Sequence, residues 1–184
     1  MDIRSATGKD WPEIWKMLRP VFRAAETYAI DPQISVDAGR AYWMSSSRQT
    51  FIAEQDGMVL GTYYLVANFA GNADHICNCG YVTAPKAQGR GVATGMLRHS
   101  LDAARAAGFR AMQYNCVVAT NARAVTLWQA HGFEIIGTLP EAFNLMVAAH
   151  VSLCDTCRAQ AESYDSVGGE VLNQTPGNAV AMDA

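Results

Sequence analysis

The chain lacks several features that mark common classes of protein. It has no apolar run of about 20 residues, the length that a membrane-spanning helix needs, and it does not begin with the pattern of a signal peptide. Its 14 Lys and Arg residues are outnumbered by 17 Asp and Glu residues, which gives a formal net charge of −3. Because binding to nucleic-acid phosphates normally needs a basic excess, these absences predict a cytoplasmic protein that binds neither a membrane nor a nucleic acid.

Cysteines are few, and their number, five, is odd. An odd number without an export signal favours free thiols in a reducing compartment. Cys77 and Cys79 lie two apart on a predicted strand, so both should point to one face. A zinc site that joins them to Cys154 and Cys157 is conceivable, but strand cysteines far more often pack as small apolar residues. We therefore expect no metal.

The length of the chain sets the number of domains. With 184 residues, 50% of them hydrophobic, it can fill one core but is too short for two full domains. We expect this domain to cover residues 1–158. Residues 159–184 turn to Gly, Ser, Asn, Gln and Pro, a composition typical of a disordered tail.

Hydrophobic periodicity and turn residues predict the element order β-α-α-β-β-β-α-β-α-β. The expected helices are 10–26, 36–44, 91–107 and 121–131, and the expected strands are 3–7, 50–53, 58–67, 76–83, 112–118 and 133–137. Pro20 falls inside the first helix and is expected to kink or divide it. This alternation indicates an α/β domain with a mixed, partly antiparallel sheet.

The segment Gln88-Gly89-Arg90-Gly91-Val92-Ala93 lies between the strand 76–83 and the following helix. Its glycines let the backbone approach an anion closely, and the first turn of a helix offers unpaired N–H groups at the positive end of its dipole. A dinucleotide-binding turn would need a third glycine where Thr94 stands, and the Gly-Lys-Ser/Thr string of nucleotide triphosphatases is missing. We therefore expect residues 88–93 to bind a phosphate group, with Arg90 as a nearby cation.

The same segment resembles the Gln/Arg-x-x-Gly-x-Gly/Ala signature of the Gcn5-related N-acetyltransferase (GNAT) superfamily. The string Asn121-Ala-Arg-Ala-Val-Thr-Leu-Trp-Gln-Ala-His-Gly-Phe-Glu134 resembles the second conserved helix of that superfamily. The resemblance covers residues 3–143 and implies the GNAT fold, with a mostly antiparallel sheet and helices on both of its faces. Beyond Phe143 the apolar alternation of the family's last strand is missing.

Membership of this superfamily implies an N-acetyltransferase that takes its acetyl group from acetyl-CoA. It implies that the strands 76–83 and 112–118 splay apart and that residues 88–93 bind the pyrophosphate. It also implies that the backbone of Val82 and Thr83 pairs with the pantetheine arm. Many members protonate the departing thiolate with a tyrosine, but Trp128 stands at the matching position.

Asn78 and Asn115, one on each of the two splayed strands, extend the resemblance. An amide side chain in an apolar strand must find partners when it is buried. With Asn121, these residues resemble the asparagine set of the yeast azetidine-2-carboxylate acetyltransferase and its bacterial relatives, which act on a small amino or imino acid. The roles implied are catalysis for Asn78 and Asn121, acceptor binding for Glu26, Tyr28, Asn78 and Asn115, and cofactor contact for Asn121. The alternative is structural, with strand asparagines satisfied at a bulge and Asn121 as a helix N-cap.

The expected reaction is direct attack of the amine on the bound thioester. An acyl-enzyme on Cys79 or Cys116 is discounted because the sequence implies no histidine partner for either residue. No general base stands out among Glu26, Asp74 and His75, the titratable groups expected near the pocket. Two alternatives stay open: an acetyltransferase of the phosphinothricin or methionine-sulfoximine type, and a CoA-binding module without catalysis. Relatives of this kind often dimerise, so a homodimer is a further expectation.

Overall fold

The computed structural model describes residues 1–137. Its elements are β1 (Asp2–Ser5), α1 (Trp11–Ala24), α2 (Val36–Trp43), β2 (Gln49–Gln55), β3 (Met58–Ala67), β4 (Ile76–Thr83), α3 (Val92–Ala106), β5 (Ala111–Met112) and α4 (Ala122–Gln129). The helix α1 contains Pro20 without being divided by it. No helix in this part of the chain combines the length and the apolar character that crossing a membrane requires. The expected domain end at residue 158, the tail 159–184 and the segment after Phe143 lie outside the described residues.

The strands form one sheet in chain order, β1-β2-β3-β4-β5. Neighbours from β1 to β4 are antiparallel, and β4 and β5 are parallel. This confirms the predicted mixed, mostly antiparallel sheet. The hairpin between β2 and β3 turns at Asp56 and Gly57, with φ angles of 51° and 74°. Such a left-handed pair is what an Asp-Gly turn favours.

Alternate residues of a strand point to opposite faces of the sheet, and helices cover both of these faces. Tyr63 packs in a cluster with α3, whereas Tyr64 packs in a second cluster with α1 and α2. Cys77 and Cys79 are both buried in the first cluster, on one face as their spacing predicted. Among residues 1–137, no group of three His, Cys, Asp or Glu side chains is placed to hold a metal ion.

Buried hydrogen bonds fix α2 against the sheet. The indole N–H of Trp43 donates to the Thr62 hydroxyl at 3.1 Å, and both side chains are fully buried. The Thr62 hydroxyl donates in turn to the Phe51 carbonyl, and the Thr50 hydroxyl donates to the Trp43 carbonyl, both at 2.9 Å. Removal of one partner would leave a buried polar group unpaired and would destabilise the fold by about 1–3 kcal/mol. The loop between α1 and α2 is therefore anchored at its α2 end.

Two of the predicted strands are wrong. Only Ala111–Met112 pairs with β4, residues 115–121 are exposed rather than buried, and residues 133–137 form no strand. An extended segment needs a neighbouring strand to satisfy its backbone groups. The chain bends at Asn115, and β5 is the edge of the sheet in the described residues, so residues 113–118 have no ladder to continue. Their apolar composition alone suggested a strand.

Asp10, directly before α1, is held by several donors. Its carboxylate accepts hydrogen bonds from the Arg4 guanidinium at 2.8 and 3.0 Å, and from the N–H and hydroxyl of Thr7 at 2.7 and 2.9 Å. The hydrogen bond from Arg4 is the main reason why the pKa of Asp10 lies well below its usual range. Arg4 also contacts Glu54 on β2, so this cluster ties the start of α1 to the edge of the sheet.

We predict that Asp10→Asn lowers the free energy of unfolding by roughly 1–2 kcal/mol at pH 7, because the charged acceptor is lost. Since the pKa is depressed in the folded state, the advantage of the wild type is complete above the unfolded-state value of about 3.9. It fades as the pH falls through the lower folded-state value. Urea unfolding at pH 7, 4 and 2.5 measures this difference. Glu13→Gln, at an exposed residue that forms an ion pair with Lys16, is the control. A constant difference between wild type and Asp10→Asn at all three pH values would contradict the prediction.

Candidate functional site

The turn between β4 and α3 contains both paired and unpaired backbone N–H groups. Gln88 and Arg90 donate to the Pro85 and Ala87 carbonyls, both at 3.4 Å, whereas the N–H groups of Gly89 and Gly91 have no backbone partner in the described part of the chain. Gly89 and Gly91 have left-handed φ angles of 73° and 76°, and Gly91 is the N-cap of α3. No described side chain caps the first turn of α3. A Cβ atom on either glycine would meet no atom within 4 Å. Consecutive N–H groups in such a turn form a concave anion-binding surface.

The predicted residues 88–93 all belong to this turn and the start of α3. Gln88, Gly89, Arg90 and Gly91 are exposed, whereas the Val92 side chain is buried in the cluster under α3. Val92 can thus offer only its N–H group to a ligand, while its side chain anchors the helix.

A gap opens beside β4 because its pairing with β5 is short. The two strands pair only at Ile76 with Ala111 and at Cys77 with Met112. One further backbone hydrogen bond joins the Gln113 N–H to the Cys77 carbonyl at 2.8 Å. The rest of β4 continues to Thr83 along β3, so its other edge is left facing the gap. The superfamily resemblance implied such a pair of diverging strands.

The register decides which backbone groups face that gap. The Ala84 N–H donates to the Leu60 carbonyl at 2.8 Å, so the backbone of Ala84 points towards β3. Hydrogen-bonding direction alternates along an antiparallel strand. The backbone of Val82 therefore also points towards β3, whereas Tyr81 and Thr83 point into the gap. Of the pair predicted for cofactor contact, only Thr83 has this orientation, and Tyr81 was missed.

The described residues also form a polar cleft of about 280 Å³. Its lining residues come from the loop after α1 and from the segment before α4: Glu26, Thr27, Val118, Thr120 and Asn121. The structure thus brings together Glu26 and Asn121, two residues singled out from the sequence. The Asn121 side-chain oxygen also accepts a hydrogen bond from the Ala124 N–H at 3.3 Å, which confirms its N-cap position.

The other two predicted asparagines do not line the cleft. The Asn115 and Asn68 side-chain amides form a reciprocal pair, in which each NH₂ donates to the other's oxygen at 2.7 Å. Asn68 directly follows β3, and nothing in its local sequence indicates this partner. Asn78 lies on β4, half-buried, on the face covered by α1 and α2. Each amide of the pair keeps one N–H and one lone pair for a ligand.

Tyr28 connects the loop after α1 to the open edge of β4. Its hydroxyl donates to the Tyr81 carbonyl at 3.1 Å. Its ring packs edge-on against Phe22 and Trp43, with centroids 5.6 Å apart in both pairs. The loop that carries Glu26 is therefore fixed to the strand beside the gap.

The buried thiols are poor nucleophiles. Burial raises the pKa of the Cys79 thiol to about 12 and that of Cys77 to about 11. Since the thiolate is the reactive form, both residues are unreactive near neutral pH. This argues against an acyl-enzyme on Cys79, whereas Cys116, the other cysteine considered for that role, is exposed.

Aromatic side chains fill the α3 side of the sheet behind the gap. The Tyr81 hydroxyl is 2.7 Å from the Ser100 hydroxyl and 3.2 Å from that of Tyr114. Burial raises the pKa of both tyrosines far above the usual range, so they stay protonated. Trp128 packs on the Tyr81 and Tyr114 rings, with centroids 5.2 and 4.8 Å away. Trp128 is thus a packing residue of α4.

Asp74 and His75, two of the three candidate bases, lie at the other end of β4. His75 precedes the strand, and Tyr81 lies six positions further along the chain. At roughly 3.3 Å per residue this is about 20 Å. Only Glu26 of the three lines the cleft.

Comparisons with known proteins agree with this geometry. Residues 11–133 match the model of the acetyltransferase (GNAT) family. The solved structure of a GCN5-related N-acetyltransferase from Kribbella flavida is 40% identical, with a TM-score of 0.73 over 77% of this chain and 86% of that chain. The N-acetyltransferase aca1 of Schizosaccharomyces pombe is 31% identical over 87 residues, which are 47% of this chain and 42% of that protein.

A different kind of protein also matches part of the chain. The anti-sigma-E factor ChrR of Cereibacter sphaeroides is 59% identical over 39 residues, which are 21% of this chain and 18% of that protein. The chain thus spans less than half the length of either curated relative. The likeness to the anti-sigma factor concerns a short segment of each protein.

We predict that Asn115→Ala and Asn68→Ala each speed amide exchange in residues 113–121 by about five- to tenfold, because either change removes both hydrogen bonds of the pair. The double variant should exchange little faster than either single variant. Hydrogen exchange followed by mass spectrometry of that peptide measures the effect. Asn72→Ala, at an exposed turn residue, is the control. Fully additive effects of Asn68 and Asn115 would show that the two amides act separately.

Proposed function

The chain belongs to the acetyltransferase (GNAT) family, and on that premise we propose that it transfers the acetyl group of acetyl-CoA to the amine of a small molecule. The observation that carries the proposal is the continuity of one strand–turn–helix unit. Its strand has an open edge, and its turn leads into a helix start whose N–H groups are free for an anion. A donor with a diphosphate at one end and a peptide-like arm at the other fits both features.

The donor site follows from this unit. The N–H groups of Gly89 and of residues 91–93 bind the pyrophosphate, and the exposed Arg90 adds a positive charge beside it. The N–H groups of Gln88 and Arg90, also predicted for this role, donate instead to the Pro85 and Ala87 carbonyls. The pantetheine amides pair with the outward backbone groups of Thr83, as a peptide adds to a sheet edge. This arrangement directs the thioester towards Tyr81, whose carbonyl is hydrogen-bonded to Tyr28 on the loop that lines the cleft. Asn121, which lines that cleft, contacts the arm near the thioester.

The acceptor occupies the cleft between the loop after α1 and the segment before α4. The Glu26 carboxylate attracts the cationic amine of the acceptor. Asn78 and Asn115, also predicted to bind the acceptor, do not line this cleft, and the Asn115 amide is paired with that of Asn68. The neutral amine, after losing its proton to water, attacks the thioester carbonyl carbon and forms the C–N bond. The C–S bond then breaks, the attacking nitrogen loses its second proton to water to give the neutral amide, and the CoA thiolate takes a proton from solvent. The outward N–H of Tyr81 is a donor for the oxyanion of the intermediate.

The acceptor is a small amino or imino acid. The cleft volume of about 280 Å³ suits a molecule of that size, and its lining is mainly polar. Acetyl transfer requires no acid on the leaving group, since the CoA thiol, with a pKa on the order of 8.5, leaves readily. The expected homodimer stays a prediction.

The test is CoA release from acetyl-CoA, followed with a thiol reagent, in the presence of proline, azetidine-2-carboxylate, phosphinothricin and methionine sulfoximine in turn. We expect release with the imino acids and none beyond slow hydrolysis without an acceptor. Release only with phosphinothricin or methionine sulfoximine would favour that type of acetyltransferase. Calorimetric binding of CoA without release with any acceptor would favour a binding module. Failure to bind CoA at all would contradict the proposal.

A pair of glycine variants tests the phosphate turn. Gly91→Ala should weaken CoA binding by about tenfold or more, because a Cβ there stands in front of the N–H groups that bind the pyrophosphate. Gly57→Ala is the matched control, since Gly57 has a similar φ angle of 74° and equal free space but lies in the β2–β3 hairpin. Both changes should lower stability by roughly 1 kcal/mol through the left-handed backbone. Isothermal titration calorimetry gives the affinities, and an equal CoA affinity of the two variants would rule out this placement.

A further inference from the structure

The Tyr28 hydroxyl donates a hydrogen bond to a backbone carbonyl on the strand edge where acetyl-CoA is proposed to bind. The Tyr81 carbonyl belongs to the edge of β4 that faces the gap, and the register directs it away from β3. The Tyr28 hydroxyl reaches it from the loop between α1 and α2 at 3.1 Å. That hydrogen bond joins the two halves of the proposed site: the edge of β4, where acetyl-CoA would bind, and the loop that carries Glu26.

The rest of Tyr28 is fixed by packing rather than by polar contacts. Its ring stands edge-on against Phe22 of α1 and Trp43 of α2, at 5.6 Å from each. Trp43 is itself fully buried and hydrogen-bonded to Thr62 on β3. The hydroxyl is therefore held at the edge of β4 by a ring that cannot easily turn away. The remainder of the loop is less constrained, because Glu26 and Thr27 are exposed.

We infer that Tyr28 is a positioning residue that couples the donor to the acceptor loop, a proposal that rests on the proposed binding of acetyl-CoA to this edge. A carbonyl oxygen has two lone pairs, so it can accept the Tyr28 hydroxyl and a further N–H from a ligand. When acetyl-CoA lies along β4, it immobilises the edge of that strand. The Tyr81 carbonyl, which accepts the hydrogen bond from the Tyr28 hydroxyl, is immobilised with it. The loop is then fixed in the position that places Glu26 against the acceptor.

Tyr28→Phe isolates the hydroxyl, because the ring and its contacts remain. Tyr42→Phe is the matched control, since the Tyr42 ring packs in the same aromatic cluster against Phe22 but belongs to α2. Amide exchange of the loop is measured with and without CoA. Two of its N–H groups report opening directly, because Ile30 donates to the Tyr28 carbonyl at 2.9 Å and Ile34 to the Asp31 carbonyl at 3.0 Å.

We expect CoA to slow exchange in residues 25–35 by about five- to tenfold in the wild type and in Tyr42→Phe, and by less than about twofold in Tyr28→Phe. The dissociation constant of CoA alone should change by less than about twofold, while the KM of the acceptor rises by about five- to tenfold. A merely structural role would lower the melting temperature and affect both ligands alike.

Two results would overturn the coupling while leaving the proposed function intact. One is equal protection of the loop by CoA in the wild type and in Tyr28→Phe. The other is faster exchange on CoA binding in the wild type, which would show that the donor displaces the hydroxyl. Absence of CoA binding to the wild type would instead overturn the proposed function, and the coupling with it.

Discussion

The site depends on the unequal pairing of β4 with its two neighbours. β4 is paired with β3 from Cys77 to Thr83, but with β5 at only two residue pairs. Backbone groups on an unpaired edge must find other partners, since a buried and unsatisfied N–H or C=O is costly. Near the two-pair ladder, Gln113 supplies one such partner. Further along, the edge is open to a ligand with amides of its own.

The edge of β4 and the segments beside it are held by hydrogen bonds and aromatic packing. Tyr81 has its side chain packed behind the sheet with Ser100 and Tyr114, while its carbonyl faces the gap. The same residue thus joins the core under α3 to the open edge of β4. The cleft walls are anchored by different means: the loop after α1 by the hydroxyl of Tyr28, and the segment after β5 by the Asn68–Asn115 pair. Glu26 and Asn121, from these two segments, both line the small polar cleft.

Many elements were predictable because their signals are local. Strand 76–83 matches β4 residue for residue, the Asp-Gly turn defines the hairpin, and Asn121 caps α4 as its sequence indicates. Gly89 and Gly91 of the turn before α3 were predictable for the same reason, since a left-handed backbone favours glycine wherever it occurs. The strand predicted over 112–118 failed because apolar composition does not reveal whether a partner strand is present.

The sequence by itself determined the family, the order of the elements from β1 to α4 and the glycine turn before α3. The tertiary structure alone decided which backbone groups face the gap beside β4. Val82 and Thr83 are equivalent in sequence, yet the register with β3 turns only Thr83 towards the gap. Asn115 was expected to bind the acceptor directly, but it is paired with Asn68, 47 residues earlier. The reason is physical: backbone conformation follows from neighbouring residues, whereas the partner of a hydrogen-bonding group is set by segments that only folding brings together.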